Sequence, residues 1–426
     1  MERYKEYRET AIPWLAMLPS HWEEKRAKYI YEKQNRVPEE TDEVITCFRD
    51  GEVTLRKNRR TTGFTESFKE IGYQGIKKGD LVIHQMDAFA GSTGVSDSDG
   101  KGTPVYSVCT PIDGQSLTLY HAKVIRLMGL NGFIQSLYRG IRERSSDFRF
   151  ETFARQVLPL PPLSEQEQIV RYLEDKTSKI DAYVSEKEKE ILLLQELKQK
   201  TIADAVTKGL NPDVKMKDSS SLISTFCPAS WKIVRNKSFM SLTGVKVGNR
   251  ADEYVLLSLT TKGIIVRDLE SGKGKFPKDF DTYQFVRKGE LVFCLFDIDE
   301  TPRTVGLVDT EGMLTGAYTA LKVNTEIALP EYIYNYYLCV DNIKALKPYY
   351  SGLRKTVRAD KFLQIYIPLP PLDEQRAIVS YIEEKCQKID SLTTELQSEI
   401  DYLKEYKQRL IADCVTGQVN VQKEVT

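Results

Sequence analysis

One long passage of this 426-residue chain is written twice. Residues 157–207 align without a gap with residues 366–416, at an offset of 209, and 27 of the 51 aligned positions are identical. Offsets of 209 and 210 then align two shorter motif pairs, PSHW with PASW and KKGDLV with RKGELV. Between these landmarks the similarity almost vanishes. The pattern predicts a duplication, in which each half has a body that differs between the halves and a tail that is similar in both.

Each tail predicts one long helix. The pairs Pro161–Pro162 and Pro370–Pro371 cannot continue a helix from upstream, so Ser164 and Asp373 are expected as N-caps. Gly209 predicts the end of the first helix. A helix of some 44 residues is about 65 Å long and cannot bury its apolar stripe inside one small body. We therefore expect the tails to pair as an antiparallel coiled coil, with seam positions that include Ile180, Leu194, Ile389 and Leu403, and with Gly417 ending the second helix.

The bodies predict a mixed α/β (α+β) fold. Short apolar runs rich in β-branched residues indicate strands at DLVIHQ, VYSVCT, AKVIRLM, YVLLSLT, GIIVRDL and ELVFCLFDI. Helical spacing occurs in NGFIQSLYRGIR and PEYIYNYYLCVDNIKAL. The expected architecture is two duplicated globular domains separated by two long antiparallel helices, with pseudo-two-fold symmetry. Its boundaries are 1–157 for the first body, 158–210 for the central helix, 211–366 for the second body and 367–426 for the distal helix.

Composition excludes several function classes. The 61 Lys and Arg residues balance the 61 Asp and Glu residues, so an anionic partner must be held by local patches. Apolar runs fall short of a membrane span and the charged start resembles no signal peptide, so a cytoplasmic location is expected. The seven cysteines form no C-x-x-C pair and the chain has three histidines, which argues against a zinc site or a disulfide framework.

A search for catalytic motifs finds none that is complete. The sequence has no phosphate loop, no G-x-G-x-x-G turn and no Asn/Asp-Pro-Pro-aromatic motif for methylating a base. Asp297 and Asp299 in FDIDE could hold a divalent cation, but loop carboxylates beside a strand are more often solvated or capping groups. The chain is therefore expected to catalyse nothing by itself and to hold no metal.

Positive charge is clustered in both bodies. Arginine forks suit guanine edges and phosphates, and lysines suit phosphates, so these clusters are candidate DNA contacts, although a charge run alone is commonly a solvated face. The first body contributes Arg56, Lys57, Asn58, Arg59 and Arg60, followed by Arg142, Arg144 and Arg149. The second contributes Lys273 and Lys275, followed by Arg354, Lys355 and Arg358. Arg142 aligns with Arg354 and Arg149 with Arg358, whereas the equivalence of Arg144 with Lys355 is open because the first half holds three extra residues there.

A duplicated chain with two paired helices matches the symmetry of duplex DNA. Duplex DNA has two-fold axes, and dimeric readers place two recognition elements a fixed distance apart along it. In one polypeptide the two bodies can diverge separately and read different half-sites, while the helix pair sets the gap between them. The tryptophans of PSHW and PASW, Trp22 and Trp231, are expected to be packing anchors rather than platforms for base stacking.

On these motifs the chain resembles the specificity subunits of type I restriction-modification systems. The motifs LPLPPLSEQEQIV and IPLPPLDEQRAIV, the linker IADAVTKGLNPDVKMKDS and the paired openings carry a resemblance that covers essentially the whole chain. It implies two target-recognition domains alternating with two conserved helices, and binding to a bipartite site in double-stranded DNA. It also implies two modification subunits that methylate adenine with S-adenosylmethionine, and restriction subunits that use ATP and magnesium. Those cofactors would belong to the partners.

Three leucines beside the first seam widen its apolar face. Leu192, Leu193 and Leu197 are candidates for docking a modification subunit, although they could also be helix-pair core. Two other classes of function stay open. The chain could be an adaptor whose duplicated heads bind proteins, or a DNA methyltransferase or nuclease with a degenerate motif.

Overall fold

The chain packs into two compact units. A computed structural model describes residues 2–59, 71–112, 114–137, 147–219, 221–267, 280, 282–352 and 355–422. Unit 1 comprises Met1–Lys187 with Ser398–Thr426, and unit 2 comprises Glu188–Gln397. Each unit thus contains one body, the first part of the long helix that follows this body, and the last part of the other long helix. The domain boundaries drawn from the sequence remain a prediction.

Short strands dominate the first body. In chain order they are β1 Tyr7–Glu9, β2 Met17–Pro19, β3 Glu23–Arg26, β4 Tyr31–Lys33, β5 Ile45–Cys47, β6 Val53–Leu55, β7 Gln74–Ile76, β8 Leu81–His84, β9 Thr93–Val95, β10 Gly100–Gly102, β11 Tyr106–Pro111 and β12 Val157–Leu160. The helices are α1 Thr118–Leu130, α2 Phe133–Ser136, α3 Phe150–Ala154 and the long α4 Leu163–Lys208.

The second body repeats this plan. Its strands are β13 Met216–Asp218, β14 Phe226–Pro228, β15 Lys232–Arg235, β16 Met240–Leu242, β17 Val245–Lys246, β18 Leu257–Thr260, β19 Gly263–Val266, β20 Tyr283–Val286, β21 Leu291–Phe293, β22 Val305–Leu307, β23 Gly312–Thr315, β24 Thr319–Val323 and β25 Tyr366–Leu369. Its helices are α5 Pro330–Asn342, α6 Ala359–Phe362 and the long α7 Leu372–Val415.

Strand pairing is equivalent in the two bodies. Each has an antiparallel four-stranded sheet, ordered β4-β11-β8-β9 in the first body and β16-β24-β21-β22 in the second. The strand before each long helix pairs with the strand after the tryptophan, as β12 with β3 and β25 with β15. Each body also has a separate hairpin, β5-β6 or β18-β19. The duplication that the sequence predicts outside the tails is therefore present in the fold, and the predicted α/β class with two bodies and two long helices is confirmed.

One predicted strand is wrong. The run AKVIRLM lies inside helix α1. Its β-branched content suggested a strand, but Val124, Ile125 and Met128 are all fully buried with Tyr120, at the three- and four-residue spacing of one helix face. Burial of that face against the core outweighs the local preference of valine and isoleucine for strands.

The two long helices begin two residues earlier than predicted, at Leu163 and Leu372. The carbonyl of Pro162 accepts the backbone N–H groups of Glu165 and Gln166 at 2.9 and 3.0 Å, so helical hydrogen bonding already starts at this proline. Ser164 therefore lies in the first turn and is not the N-cap, and Asp373 occupies the same place in α7. The predicted ends hold: Gly209 and Gly417 take left-handed φ angles of 72° and 69° just beyond α4 and α7.

Within each unit the two helix segments run antiparallel. In unit 1, Asp181 and Lys187 of α4 pair with Lys407 and Glu399 of α7 at 2.6 and 3.0 Å. In unit 2, Lys198 bonds Asp390 at 2.7 Å. The seam between the charged pairs is apolar: Ile389 is buried, while Ile180, Leu194 and Leu403 are partly buried. No helix within the described ranges combines the length and apolar character that crossing a bilayer requires.

Candidate nucleic-acid interface

The first basic cluster lies directly after hairpin β5-β6. Arg56, Lys57 and Asn58 form a single 3₁₀ turn that follows β6, and Arg56 donates to the hydroxyl of Thr46 on β5. Asn58 donates to Thr54 at 2.8 Å. These bonds to the hairpin fix the backbone of the cluster, so its cations project from a structured edge rather than from a loose loop.

Acidic groups already pair with the cations of this cluster. Arg59 Nη1 lies 2.6 Å from Asp50 and 2.8 Å from Glu52, and its guanidinium stacks 4.3 Å above the ring of Phe48. The hydrogen bond that Arg59 donates to Asp50 raises the pKa of Arg59. Lys57 pairs with Glu43 at 2.5 Å. A phosphate that approached the cluster would have to replace these carboxylates.

Arg149 and Arg358 occupy equivalent positions in the two bodies. Each is the N-cap residue of the short helix, α3 or α6, that leads into the strand before the long helix. Both are largely exposed, and each pairs with an aspartate two residues away, Asp147 at 2.6 Å or Asp360 at 3.1 Å. The equivalence of these two arginines, drawn from the 209-residue offset, therefore holds in the fold.

Lys355 lies on the same segment of the second body. Its ammonium is 3.2 Å from both Asp299 and Glu300, and these bonds raise its pKa. A hydrogen bond from the Tyr350 hydroxyl, 2.9 Å away, together with Lys355, lowers the pKa of the Asp299 carboxyl. Asp299 is thus an ion-pair partner, and the described residues contain no group of three metal-ligating side chains.

Several predicted contact residues cannot be placed. Arg60, Arg142, Arg144, Lys273, Lys275 and Arg354 lie outside the described residues. The assignment of all the basic residues to DNA contact remains a prediction.

A buried clamp joins each body to the start of its long helix. Trp22 Nε1 donates to Glu165 at 3.1 Å, and Trp231 Nε1 donates to Glu374 at 3.0 Å. Both indoles are fully buried, so their predicted role as packing anchors is confirmed. The glycine that ends the other helix also packs on each indole: a Cβ at Gly417 would lie 3.1 Å from Trp22, and a Cβ at Gly209 would lie 3.3 Å from Trp231.

The glutamines of the two EQ motifs complete this clamp, a role that the sequence interpretation missed. Gln166 accepts from Leu117 N at 2.8 Å and donates to the carbonyls of Gln115 and Pro161 at 2.9 and 2.8 Å. Gln375 makes the equivalent bonds to Leu329 N, Ile327 O and Pro370 O at 2.8, 3.2 and 2.9 Å. Because both side chains are fully buried, the repeated PPLxEQ motif is explained by the geometry of this joint.

The three candidate docking leucines are exposed. Leu192, Leu193 and Leu197 have 59%, 64% and 50% of their surface accessible, so they lie outside the seam. Leu197 also borders a cavity of about 420 Å³ together with Tyr381. Exposure of this kind leaves apolar surface uncovered on the helix pair.

Comparison with known proteins shows which class of protein this chain resembles. Residues 296–402 match the family model for the type I restriction modification DNA specificity domain. The fold matches the HsdS subunit from Thermoanaerobacter tengcongensis, with a TM-score of 0.51 at 15% identity over 94% of this chain and 98% of that one. It also matches a chain of a solved type I R-M system, with a TM-score of 0.68 at 15% identity over 94% and 99% of the two chains. The fold is therefore that of a type I specificity subunit.

Individual relatives agree with this class. The chain is 22% identical over 325 residues to the Type I restriction enzyme EcoBI specificity subunit of Escherichia coli, covering 71% of this chain and 65% of that protein. It is 24% identical over 282 residues to the MjaVIII specificity subunit of Methanocaldococcus jannaschii, covering 62% of each. The matches thus span less than two thirds of the length of these relatives. The resemblance to the specificity subunits of type I restriction-modification systems is confirmed.

Proposed function

We propose that this chain is the DNA-recognition subunit of a type I restriction-modification complex. Each body reads one half of a bipartite site in double-stranded DNA. The observation that carries the proposal is the doubled geometry: Arg149 and Arg358 cap equivalent helices on equivalent bodies, in a chain with this family's specificity domain. Two related heads on one polypeptide suit two unlike half-sites.

The chain itself is proposed to be non-catalytic. Burial raises the pKa of the Cys47, Cys109 and Cys339 thiols, that of Cys47 to about 12, which disfavours the nucleophilic thiolate. His121 is fully buried, and its ring nitrogens bond the Tyr31 hydroxyl and the Pro159 carbonyl. Adenine methylation with S-adenosylmethionine and DNA cleavage with ATP and magnesium then fall to modification and restriction subunits.

Two modification subunits are proposed to dock on the helix pair, one on each unit. The 209-residue offset relates Leu392, Leu193 and Leu197 of unit 2 to Tyr183, Tyr402 and Tyr406 of unit 1. All six side chains are exposed, and Tyr402 has 77% of its surface accessible. Equivalent positions therefore carry exposed apolar or aromatic surface in both units, which fits two copies of one partner better than a single partner.

Salt-dependent binding to duplex DNA tests the proposal against its main alternative. A chain that neutralises phosphates should lose affinity steeply between 50 and 200 mM salt, because condensed counterions are released on binding. The complex reconstituted with a modification subunit should prefer one bipartite sequence over a scrambled duplex. Weak binding that ignores both salt and sequence would favour the adaptor with protein-binding heads.

A further inference from the structure

Two connections, one in each body, join strands that are otherwise equivalent. Strand β8 begins within KKGDLV and pairs with β9, and strand β21 begins within RKGELV and pairs with β22. At the 210-residue offset of the two motifs, Asp87 aligns with Asp297, and the other residues between the paired strands differ. Connection A, residues 85–92, has eight residues, and connection B, residues 294–304, has eleven. Divergence in sequence and length therefore begins where a shared scaffold strand ends.

Both connections are held between the same two neighbours. On one side, hairpin β5-β6 or β18-β19 packs directly against the strand that follows the connection, β9 or β22. A Cβ at Gly94 of β9 would lie 1.9 Å from the carbonyl oxygen of Gly51, and a Cβ at Gly306 of β22 would lie 2.6 Å from Ile264. On the other side lies the segment that leads to α3 or α6. Its Phe148 N–H donates to Gln85 O at 3.0 Å, and Val357 N–H donates to Leu295 O at 2.7 Å.

These neighbours are the segments that carry the candidate DNA contacts. Arg56 to Arg59 follow hairpin β5-β6, and Arg149 is next to Phe148. In the second body Lys355 and Arg358 flank Val357. Each connection therefore lies beside cations that suit the phosphate backbone.

The connections are anchored from the inside and expose side chains on the outside. In connection A, Arg126 of α1 donates to the carbonyls of Arg49 and Gly91 at 2.5 and 2.6 Å, which ties the connection to the hairpin turn. In connection B, the buried carboxylate of Asp341 on α5 accepts from Thr304 N at 3.0 Å and Thr304 Oγ1 at 2.6 Å. Rigid anchoring reduces the entropy that a reading element loses on binding.

The outward side chains suit base edges better than phosphates. Met86 of connection A is 46% exposed. Connection B exposes Asp297, whose φ of 44° is rare for a residue other than glycine and is held by a bond from Asp297 N to Lys355 O at 3.2 Å. A thioether makes no favourable contact with a phosphate, and a carboxylate is repelled by it. In the major groove, however, an apolar group meets the thymine methyl and a carboxylate accepts from the amino group of cytosine.

We propose that connections A and B are the base-reading elements of the two bodies. The inference rests on the proposed function and adds the residues that set specificity. Met86 contacts a thymine methyl in the half-site of the first body. Asp297 accepts a hydrogen bond from an exocyclic amino group in the half-site of the second body, while the flanking arginines and lysines hold the backbone.

The test selects bound duplexes from libraries in which one half-site at a time is randomised, using the complex with its modification subunit. Met86→Ala should lower base discrimination roughly tenfold at one or two positions of one half-site and leave the other unchanged. Asp297→Asn should do the same for the opposite half-site. Asparagine tolerates the left-handed backbone at this position, so the fold is kept. Matched controls are Met17→Ala on β2 and Asp309→Asn, which are exposed but lie outside both connections.

Two outcomes separate the inference from the function on which it depends. If the wild-type complex shows a bipartite preference that both variants leave unchanged, connections A and B do not read bases and the inference is wrong. If the wild-type complex shows no base preference in either half-site, the proposed function is wrong, and the inference that rests on it is wrong too.

Discussion

The ion pairs of Arg59 lead to a quantitative prediction about DNA binding by the first body. Replacing Arg56 and Arg59 by alanine removes two cations, so the slope of log affinity against log salt should fall by about 2. Affinity for the cognate duplex should fall roughly 30-fold at physiological salt. Only the half-site of the first body should be affected, whereas Lys355→Ala with Arg358→Ala should weaken the other.

The structure adds a second effect to this loss. Asp50 and Glu52 lie 2.6 and 2.8 Å from Arg59 and keep their charge when the guanidinium is removed. At about 7 Å from a phosphate in water, each carboxylate costs roughly a twofold loss of affinity. This repulsion acts whether or not Arg59 is present, whereas the wild-type guanidinium must give up its two ion pairs to reach a phosphate. Arg59→Ala should therefore cost less affinity in the wild-type background than in an Asp50→Asn, Glu52→Gln background. That background alone should bind non-specific duplex more tightly than the wild type.

Fluorescence anisotropy with labelled duplexes at several salt concentrations measures all four corners of this cycle. Duplexes with one half-site scrambled assign each loss to a body. Equal losses on both half-sites would contradict the assignment of one body to each half. Identical effects of Arg59→Ala in the two backgrounds would contradict the role of the acidic partners.

Three further predictions concern the helices. Leu193→Asp with Leu197→Asp should reduce capture of the modification subunit at least tenfold in pull-down assays and leave DNA binding unchanged in titrations. Gln195→Asp with Gln199→Asp makes the same charge change on exposed positions of α4 and should change neither capture nor DNA binding. Gln166→Leu should destabilise unit 1 by about 2–5 kcal/mol, because it leaves buried backbone groups unpaired, while the exposed Ser164→Ala should not change the urea midpoint. Inserting four residues, about one helical turn, in both long helices should change the preferred spacer between half-sites, and an unchanged spacer in footprinting would count against the helices as a ruler.

Much of the fold could be predicted from the sequence because it follows from local signals. Tandem prolines, a terminal glycine and apolar steps of three and four residues predict α4 and α7 to within a residue or two. The duplication predicts that the two bodies share one fold. Residues that act through tertiary contacts were less accessible. The run AKVIRLM is helical because of the core it faces, and nothing local distinguishes it from a strand.

The candidate site shows the same division. Clusters of arginine and lysine are visible in the sequence, and so is the equivalence of Arg149 with Arg358. Arg149 and Arg358 pair with aspartates two residues away, but Lys355 meets Asp299 across 56 residues, and no local pattern predicts that pair. Gln166 and Gln375 had one usable signal, namely that both tails repeat EQ next to the prolines. Its meaning needed the fold, because one amide and one carbonyl bonded by each glutamine lie about 50 residues upstream.

The central claim is that one chain sets one bipartite DNA sequence through two separate heads. The most direct measurement is sequencing of methylated adenines in DNA from cells that express this chain with its modification subunit. The account predicts a single motif with two specified halves and a fixed gap of unspecified bases, and a Met86→Ala chain that alters one half only. A continuous motif, or a methylation pattern that does not depend on this chain, would contradict it.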